Sequence, residues 1–291
     1  MPYQDYSKNM VKKNYNTYCI IGDPINHSLS PALHNAAFTS LGLDYSYIAY
    51  RVPKDELANA IISLKSINIA GFNVTMPHKT AIIKFLDTLD STVERARAVN
   101  TVYNNNGKFE AFNTDIVGFV TPLHNRNVNF NGMTVLLLGA GGTAQAVVAA
   151  LAEEKGISKI YISSRNNVKL ENLAEVATKT GLECVTLGEN EIQTFSPLSD
   201  MIINATPVGM GGEASPVSSK HISKDSIVYD IVYRPLNTDL ILNAKKANAQ
   251  IIYGYEMLLE QAIAAFKIWT GITPPVEAMK KALFGGFGEP L

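Results

Sequence analysis

The stretch Val135-Leu136-Leu137-Leu138-Gly139-Ala140-Gly141-Gly142-Thr143-Ala144 decides the fold. An apolar strand runs straight into Gly-x-Gly-Gly-x-Ala, and the apolar helical segment Ala146–Leu151 follows at once. The glycines permit a tight turn and close approach of a pyrophosphate, which sits on the free N–H groups at the helix N-terminus. Strand before and helix after are the context that separates a dinucleotide-binding loop from a mere tight turn.

The next strand indicates which dinucleotide. Ile160-Tyr161-Ile162-Ser163 ends in Ser164-Arg165-Asn166-Asn167, with Lys169 shortly after. An NAD site usually has Asp or Glu here to accept from the ribose 2′-hydroxyl. Ser, Arg and Lys suit a 2′-phosphate instead, since the guanidinium offers a bidentate fork and the ammonium a point charge. The competing reading is an ordinary basic helix start, which the helix dipole disfavours. NADP is the expected cofactor.

Outward from this loop the strand–helix rhythm continues. Strands are expected at Lys159–Ser163, Met201–Asn204, Ile227–Asp230 and Gln250–Tyr253, and Tyr255–Trp269 has helical periodicity. A last helix near Val276–Phe284 should end at Gly285-Gly286. Upstream, Tyr18–Gly22, Tyr45–Val52 and Gly71–Thr75 read as strands. Helices are expected from Ser30-Pro31 to Gly42, with Ser30 as N-cap, and at Glu56–Leu64 and Ile82–Leu89. Thr92–Val117 is less regular. The expectation is an α/β fold of two lobes. Residues 18–117 form a mainly parallel substrate-binding domain, completed by helices from 254–284. Residues 118–253 form a Rossmann-type NADP-binding domain, 1–17 an N-terminal extension and 285–291 a flexible tail.

Composition bounds the function. The 291 residues are 46% hydrophobic and 18% charged, which fits a soluble chain of about two domains. A net charge of −1 with scattered Lys and Arg leaves no electrostatic footprint for nucleic acid or an anionic membrane. Cys19 and Cys184 make no metal-ligand spacing and suggest reduced thiols in the cytoplasm. Residues 1–17 lack a signal peptide's apolar centre, and no apolar run approaches the ~18 residues of a membrane helix. The five histidines (His27, His34, His78, His124 and His221) never approach a metal spacing and read as surface or hydrogen-bonded structural residues, so no metal is expected. Neither a Gly-x-Ser-x-Gly elbow nor a Walker lysine loop is present.

Three further segments carry chemistry. Gly71-Phe72-Asn73-Val74-Thr75-Met76-Pro77-His78-Lys79 ends a strand in polar groups and a single amine, as open α/β folds do at the carboxyl edge of the sheet. Asn113-Thr114-Asp115, followed by Gly118, offers a carboxylate that either caps the next helix or holds Lys79 charged and oriented while bonding a substrate hydroxyl. Ala98-Val99-Asn100-Thr101 adds an amide. His27-Ser28-Leu29-Ser30-Pro31 brings two hydroxyls to a helix start, either as turn and cap chemistry or as a cradle for a carboxylate.

In this order the segments resemble the shikimate dehydrogenase family over nearly the whole chain, from about Tyr18 to Phe284. The family's H-S-x-S-P is His27–Pro31 here, G-x-N-V-T-x-P-x-K is Gly71–Lys79, A-V-N-T is Ala98–Thr101 and N-T-D-x-x-G is Asn113–Gly118. G-A-G-G is Gly139–Gly142, N-A-T-P-x-G-M is Asn204–Met210, and the aspartate-to-tyrosine turn is Asp230-Ile231-Val232-Tyr233. The resemblance implies NADPH-dependent reduction of 3-dehydroshikimate, with Lys79 and Asp115 as the catalytic pair. It implies a substrate pocket of Ser28, Ser30, Thr75, Lys79, Asn100, Asp115, Tyr233 and Gln261. Gly139, Ala140, Gly141, Gly142 and Thr143 would carry the pyrophosphate. Ser164, Arg165, Asn166 and Lys169 would hold the adenosine phosphate, and Thr206, Ile231 and Gly254 would flank the nicotinamide side. The oligomeric state stays open, a homodimer included.

Two departures from the family pattern stand out. The usual N-R-T is Ser164-Arg165-Asn166, and the usual G-L-G-M-L is Gly254-Tyr255-Glu256-Met257-Leu258. The second is expected to alter the pocket rim and leaves a quinate-accepting or NAD-linked relative open. Two further rivals are a regulator and a folate-linked dehydrogenase. The regulator would sense the metabolite without turning it over and could discard Lys79 and Asp115; the folate-linked enzyme would not require the double-serine loop.

Overall fold

The structure, a computed structural model, describes residues 16–287; the expectations for residues 1–15 and 288–291 lie outside the described residues. The first lobe opens with β1 (Asn16–Gly22), α1 (Ser30–Ser40), β2 (Tyr45–Arg51), α2 (Leu57–Ser66) and β3 (Gly71–Val74). It continues through β4 (Thr88–Leu89), α3 (Ser91–Ala96), β5 (Thr101–Asn105) and β6 (Lys108–Phe112). These strands form a six-stranded sheet in the order β2-β1-β3-β5-β6-β4. Only β5 runs antiparallel to its neighbours.

Helix α4 (Asp115–His124) leads into the second lobe, so the expected division at 117/118 falls inside a helix. There follow β7 (Thr134–Leu138), α5 (Gly142–Glu153), β8 (Lys159–Ser163), α6 (Asn167–Lys179), β9 (Cys184–Leu187), the short α7 (Ile192–Phe195), β10 (Met201–Asn204), β11 (Ile227–Asp230), α8 (Asp239–Ala247) and β12 (Gln250–Tyr253). Their sheet runs β12-β11-β10-β7-β8-β9 with every pair parallel. Chain order reverses between β7 and β10, the switch point at which doubly wound sheets bind ligands. Along β7, Val135 and Leu137 enter one core layer while Leu136 and Leu138 enter the other. Successive side chains point to opposite faces, so a strand covered on both sides must be apolar throughout.

From β12 the chain returns through α9 (Gly254–Thr270) and α10 (Val276–Phe287), which share a core with α1 and β1 of the first lobe. Trp269 Nε1 donates to the Val102 carbonyl at 2.9 Å and pins α9 to the first sheet. No helix among the described residues is long and apolar enough to cross a membrane.

Several local expectations are corrected. Ile82–Leu89 is not an α-helix: one 3₁₀ turn at Ile83–Phe85 leads into β4, because Asp87 exchanges hydrogen bonds with the Phe109 backbone and draws the chain to the sheet edge. The irregular Thr92–Val117 contains α3 and the β5–β6 hairpin, whose Asn106-Gly107 turn has both residues at positive φ. The edge strand β9 escaped notice because its middle residues are exposed and give no apolar run. Helix α10 runs through Gly285-Gly286 to Phe287, whose ring packs near Tyr255 and Phe284. Ser30 is not the N-cap of α1 but its first residue; Leu29 holds the cap position without a side-chain bond. His34 is neither surface nor hydrogen-bonded. It is fully buried, stacks on Tyr47 at 4.5 Å between ring centroids, and has no partner for either ring nitrogen. Desolvation pushes its pKa down to about 3, so it stays a neutral ring in an aromatic cluster with Phe38, Phe266 and Trp269.

Candidate active site

A cleft of about 1740 Å³ runs between the lobes, from the first lobe's strand ends to the carboxyl edge of the second sheet. A single small-molecule pocket is typically ~300–1,000 Å³, so this one has room for a dinucleotide and a second ligand. Every site residue named from the sequence lines it, from Ser28 and Ser30 at one end to Arg165 and Lys169 at the other.

At its centre Lys79 Nζ donates to Asp115 Oδ2 at 2.6 Å. The lysine side chain is 14% exposed and that of Asp115 6%, so the pair is largely shielded from water while facing the cleft. Lys79 follows the loop that ends β3, and Val99 N–H donates to its carbonyl at 2.7 Å, fixing its backbone. The neighbouring His78 ring bonds the Val52 carbonyl at 2.7 Å. Asp115 opens α4 but does not cap it. The Asn113 side-chain oxygen accepts from the N–H groups of Asp115 and Ile116, which leaves the Asp115 carboxylate for other work. Its second oxygen accepts from Asn100 Nδ2 at 2.8 Å, and Asn100 Oδ1 in turn accepts from Thr114 N–H at 2.7 Å.

Behind this row is a polar layer that the sequence did not single out. The Tyr47 hydroxyl donates to Asn73 Oδ1 at 2.6 Å, and Asn73 Nδ2 donates to the Asn100 carbonyl and Thr101 Oγ1 at 3.0 Å each. Asn73 was legible as a polar residue inside a buried strand, a position that demands a partner. Its partner Tyr47 was not, since a tyrosine in β2 is unremarkable by itself. Gln261 reaches the site from α9, within 3.4 Å of Asn100 Nδ2. It does so because Gly118 lets α4 and α9 touch: a Cβ there would lie 2.8 Å from Gln261 Cβ and 3.0 Å from the Met257 carbonyl.

The serine end is a cradle of neutral donors. Ser28 Oγ accepts from Ser30 N–H at 3.3 Å, and the Tyr233 hydroxyl faces Ser28 and the Leu29 backbone. Burial raises the Tyr233 phenol above its ordinary value despite those bonds, which keeps it a neutral hydrogen-bond donor. Tyr233 is carried by the turn after β11, and Asp230 anchors that turn. Its carboxylate accepts from Thr238 Oγ1 at 2.5 Å, Asn204 Nδ2 at 2.9 Å and Val232 N–H at 3.1 Å. Burial outweighs those bonds and pushes its pKa up to about 6.

On the other side the residues fit a dinucleotide. Gly139 has φ +111°, a conformation that only glycine adopts without strain. A Cβ on Gly141 would meet nothing within 4 Å, and no side chain caps the start of α5, so its first N–H groups have no side-chain partner there. Arg165 and Lys169 line the far end. Asn166 lines the same end, its Oδ1 accepting from Lys169 N–H at 3.0 Å as the N-cap of α6. The Tyr255-Glu256 departure does not reach the rim. Tyr255 packs on Tyr253 and Phe284, and Glu256 binds Arg126 at 2.8 Å, both outside the cleft lining.

Known proteins repeat this pattern over most of the chain. Family models match in three blocks: the shikimate dehydrogenase substrate binding domain at residues 20–102, shikimate / quinate 5-dehydrogenase at 123–210 and the shikimate 5′-dehydrogenase C-terminal domain at 254–284. The shikimate dehydrogenase (NADP(+)) of Nitrosopumilus maritimus is 51% identical over 93% of this chain and 99% of its own length. The structure of shikimate 5-dehydrogenase from Thermus thermophilus with NADP(H) and shikimate superposes with a TM-score of 0.82, at 33% identity over 93% of this chain and 99% of that one. Quinate dehydrogenase from Corynebacterium glutamicum, in complex with NAD, has a TM-score of 0.84 at 27% identity, over 93% of this chain and 99% of its own. The fold alone thus spans both activities, whereas 51% identity over 93% of this chain favours the first: the chain belongs to the shikimate dehydrogenase family.

Proposed function

We propose that this protein catalyses the reversible, NADPH-dependent reduction of 3-dehydroshikimate to shikimate, a step of aromatic amino-acid biosynthesis. The observation that carries the reading is the 2.6 Å Lys79–Asp115 pair, set between a cradle of neutral donors and a glycine loop. NADPH, when bound, supplies the hydride to the ring carbonyl carbon. The chain's own residues do the rest. Ser28, Ser30 and Tyr233 hold the substrate carboxylate, and Thr75, Asn100 and Gln261 bond its remaining polar groups. Lys79 gives its proton to the carbonyl oxygen as the carbon is reduced, and Asp115 fixes the ammonium and accepts from the neighbouring hydroxyl. Holding both reactants in register supplies much of the rate.

Gly139–Thr143 would hold the cofactor's pyrophosphate and Ser164, Arg165, Asn166 and Lys169 its 2′-phosphate end, and Thr206, Ile231 and Gly254 would border the nicotinamide, all of them lining the cleft. The enzyme works in the cytoplasm, a reading supported by its two free cysteines and balanced charge. A metabolite-sensing regulator would have no need of a shielded ammonium–carboxylate pair aimed into the cleft. Initial rates on 3-dehydroshikimate with NADPH and with NADH, and oxidation of shikimate against quinate, test the reading. NADPH and shikimate should each be preferred at least tenfold; equal rates with either cofactor, or faster turnover of quinate, would refute it.

A further inference from the structure

We propose that Thr143 is a positioning residue for Lys79, so that the glycine loop of the cofactor lobe also holds the reacting ammonium from across the cleft. The proposal rests on the reading of Lys79 given above. Lys79 belongs to the first lobe, yet its Nζ donates to Thr143 Oγ1 at 3.1 Å as well as to Asp115. Contact continues down the side chain. A Cβ built on Gly142 would lie 2.8 Å from Lys79 Cβ and 3.3 Å from its Cδ, whereas one on the adjacent Gly141 would meet nothing within 4 Å. Gly141 therefore leaves room for a ligand, and Gly142 leaves room for the lysine stem.

Neighbouring contacts press the two surfaces together. The Gln145 amide nitrogen, one turn along α5, faces the carbonyls of Ala96 and Arg97 at 2.8 and 3.1 Å, and Arg95 pairs with Glu153 at the far end of the same helix. An ammonium has three N–H donors on a flexible four-carbon stem. With Asp115 as its single acceptor, the group would be free to swing about that bond. A second acceptor on the opposite lobe fixes its direction and leaves the third N–H for the substrate oxygen. The hydroxyl of Thr143 thus links closure of the cleft to the aim of the proton donor.

The test is calorimetric titration of shikimate into the cofactor-free protein, for the parent, Thr143→Val, Thr143→Ser, Lys79→Met and Lys79→Met/Thr143→Val. A hydrogen bond to a charged group bears on equilibria by about tenfold or more when buried, and less here, where the site opens to solvent. Thr143→Val should weaken shikimate binding three- to tenfold. Thr143→Ser should restore it to within twofold of the parent, and adding Thr143→Val to Lys79→Met should cost nothing further, because the two residues act through one contact. With NADPH supplied, kcat should fall by at least the same factor. Thr143→Ala gives the same readings should the valine methyl disturb the loop. Binding by Thr143→Val equal to the parent would show that Thr143 does not act on Lys79, and an equal loss with and without Lys79 would show that it acts on shikimate by another route; either result overturns the proposal. A parent chain that neither binds shikimate nor reduces dehydroshikimate would instead overturn the functional reading, and this proposal with it.

Discussion

Replacing Lys79 by methionine should separate catalysis from stability. The side chain keeps most of its apolar stem but loses the terminal ammonium and its charge, so Asp115 Oδ2 loses a partner at 2.6 Å while Oδ1 keeps Asn100 at 2.8 Å. General acids typically contribute about 10²–10⁴-fold, and kcat for dehydroshikimate reduction should fall by that much. Shikimate should still bind through Ser28, Ser30 and Tyr233, more weakly by the lysine contact alone. The cost in stability follows from burial. Removing one member of a buried pair leaves an uncompensated charge at roughly 3–5 kcal/mol, and the open cleft beside a lysine 14% exposed puts the loss near the lower figure. At an m-value of about 3 kcal/mol/M, that is about 1 M in the urea midpoint. Lys79→Met/Asp115→Asn removes the stranded charge and should recover most of the midpoint without recovering kcat. Equilibrium unfolding and steady-state kinetics on the three proteins decide the matter. Near-normal kcat with only a raised KM in Lys79→Met would make the lysine a binding residue and refute the mechanism.

Arg165→Ala should narrow the preference for NADPH over NADH by tenfold or more, since a charge-assisted phosphate contact contributes on the order of 1.5–3 kcal/mol; competitive cofactor kinetics measure it. Gly118→Ala forces α9 off α4 around a Cβ that would sit 2.8 Å from Gln261, and should cost ~1–3 kcal/mol in thermal unfolding while raising KM for dehydroshikimate. Asp230 gives a pH signature. Its carboxyl, ordinarily at 3.8, is pushed up to about 6 in the fold, so the folded chain holds the proton more tightly than the unfolded one. Its contribution is fully present below about pH 4 and is lost as pH rises through 6, on the order of 3 kcal/mol. The stability of the parent relative to Asp230→Asn should therefore decline across that window and level off above it in urea titrations; a flat difference would remove burial as the cause.

Much of this molecule is written locally. A strand covered on both faces must be apolar, which is why Val135–Leu138 announced the second sheet before any partner was known. Gly139 marks a backbone conformation that other residues resist, and Lys79, Asp115 and the glycine loop all follow strand ends, where parallel sheets gather their ligands. The missed elements had weak local signals: β4 has only two residues, and the middle of β9 is exposed. The glycine pair near the end of α10 argued for a stop, but tertiary contacts of Phe287 with Tyr255 and Phe284 carry the helix past it.

What the sequence determined by itself was the kind of fold, the order of its lobes, and the lysine, carboxylate and hydroxyls of the site. The family motifs supplied their roles. Only the tertiary structure decided which of them meet. The Asp115 carboxylate has one reading as a helix cap and another as a partner for Lys79, and the choice is made by Asn113, which takes the helix N–H groups for itself. Gly142 reads as a phosphate glycine and gives no sign that Lys79 packs against it, and His34 reads as a surface or hydrogen-bonded residue until α1 buries it among aromatic rings. Tyr255 and Glu256 seemed to threaten the pocket, yet the turn of α9 directs them away from it. A backbone preference is set by a residue and its immediate neighbours, and so survives in the sequence. A contact between residues 36, 64 or 161 positions apart depends on how whole elements stack, and no local pattern carries that.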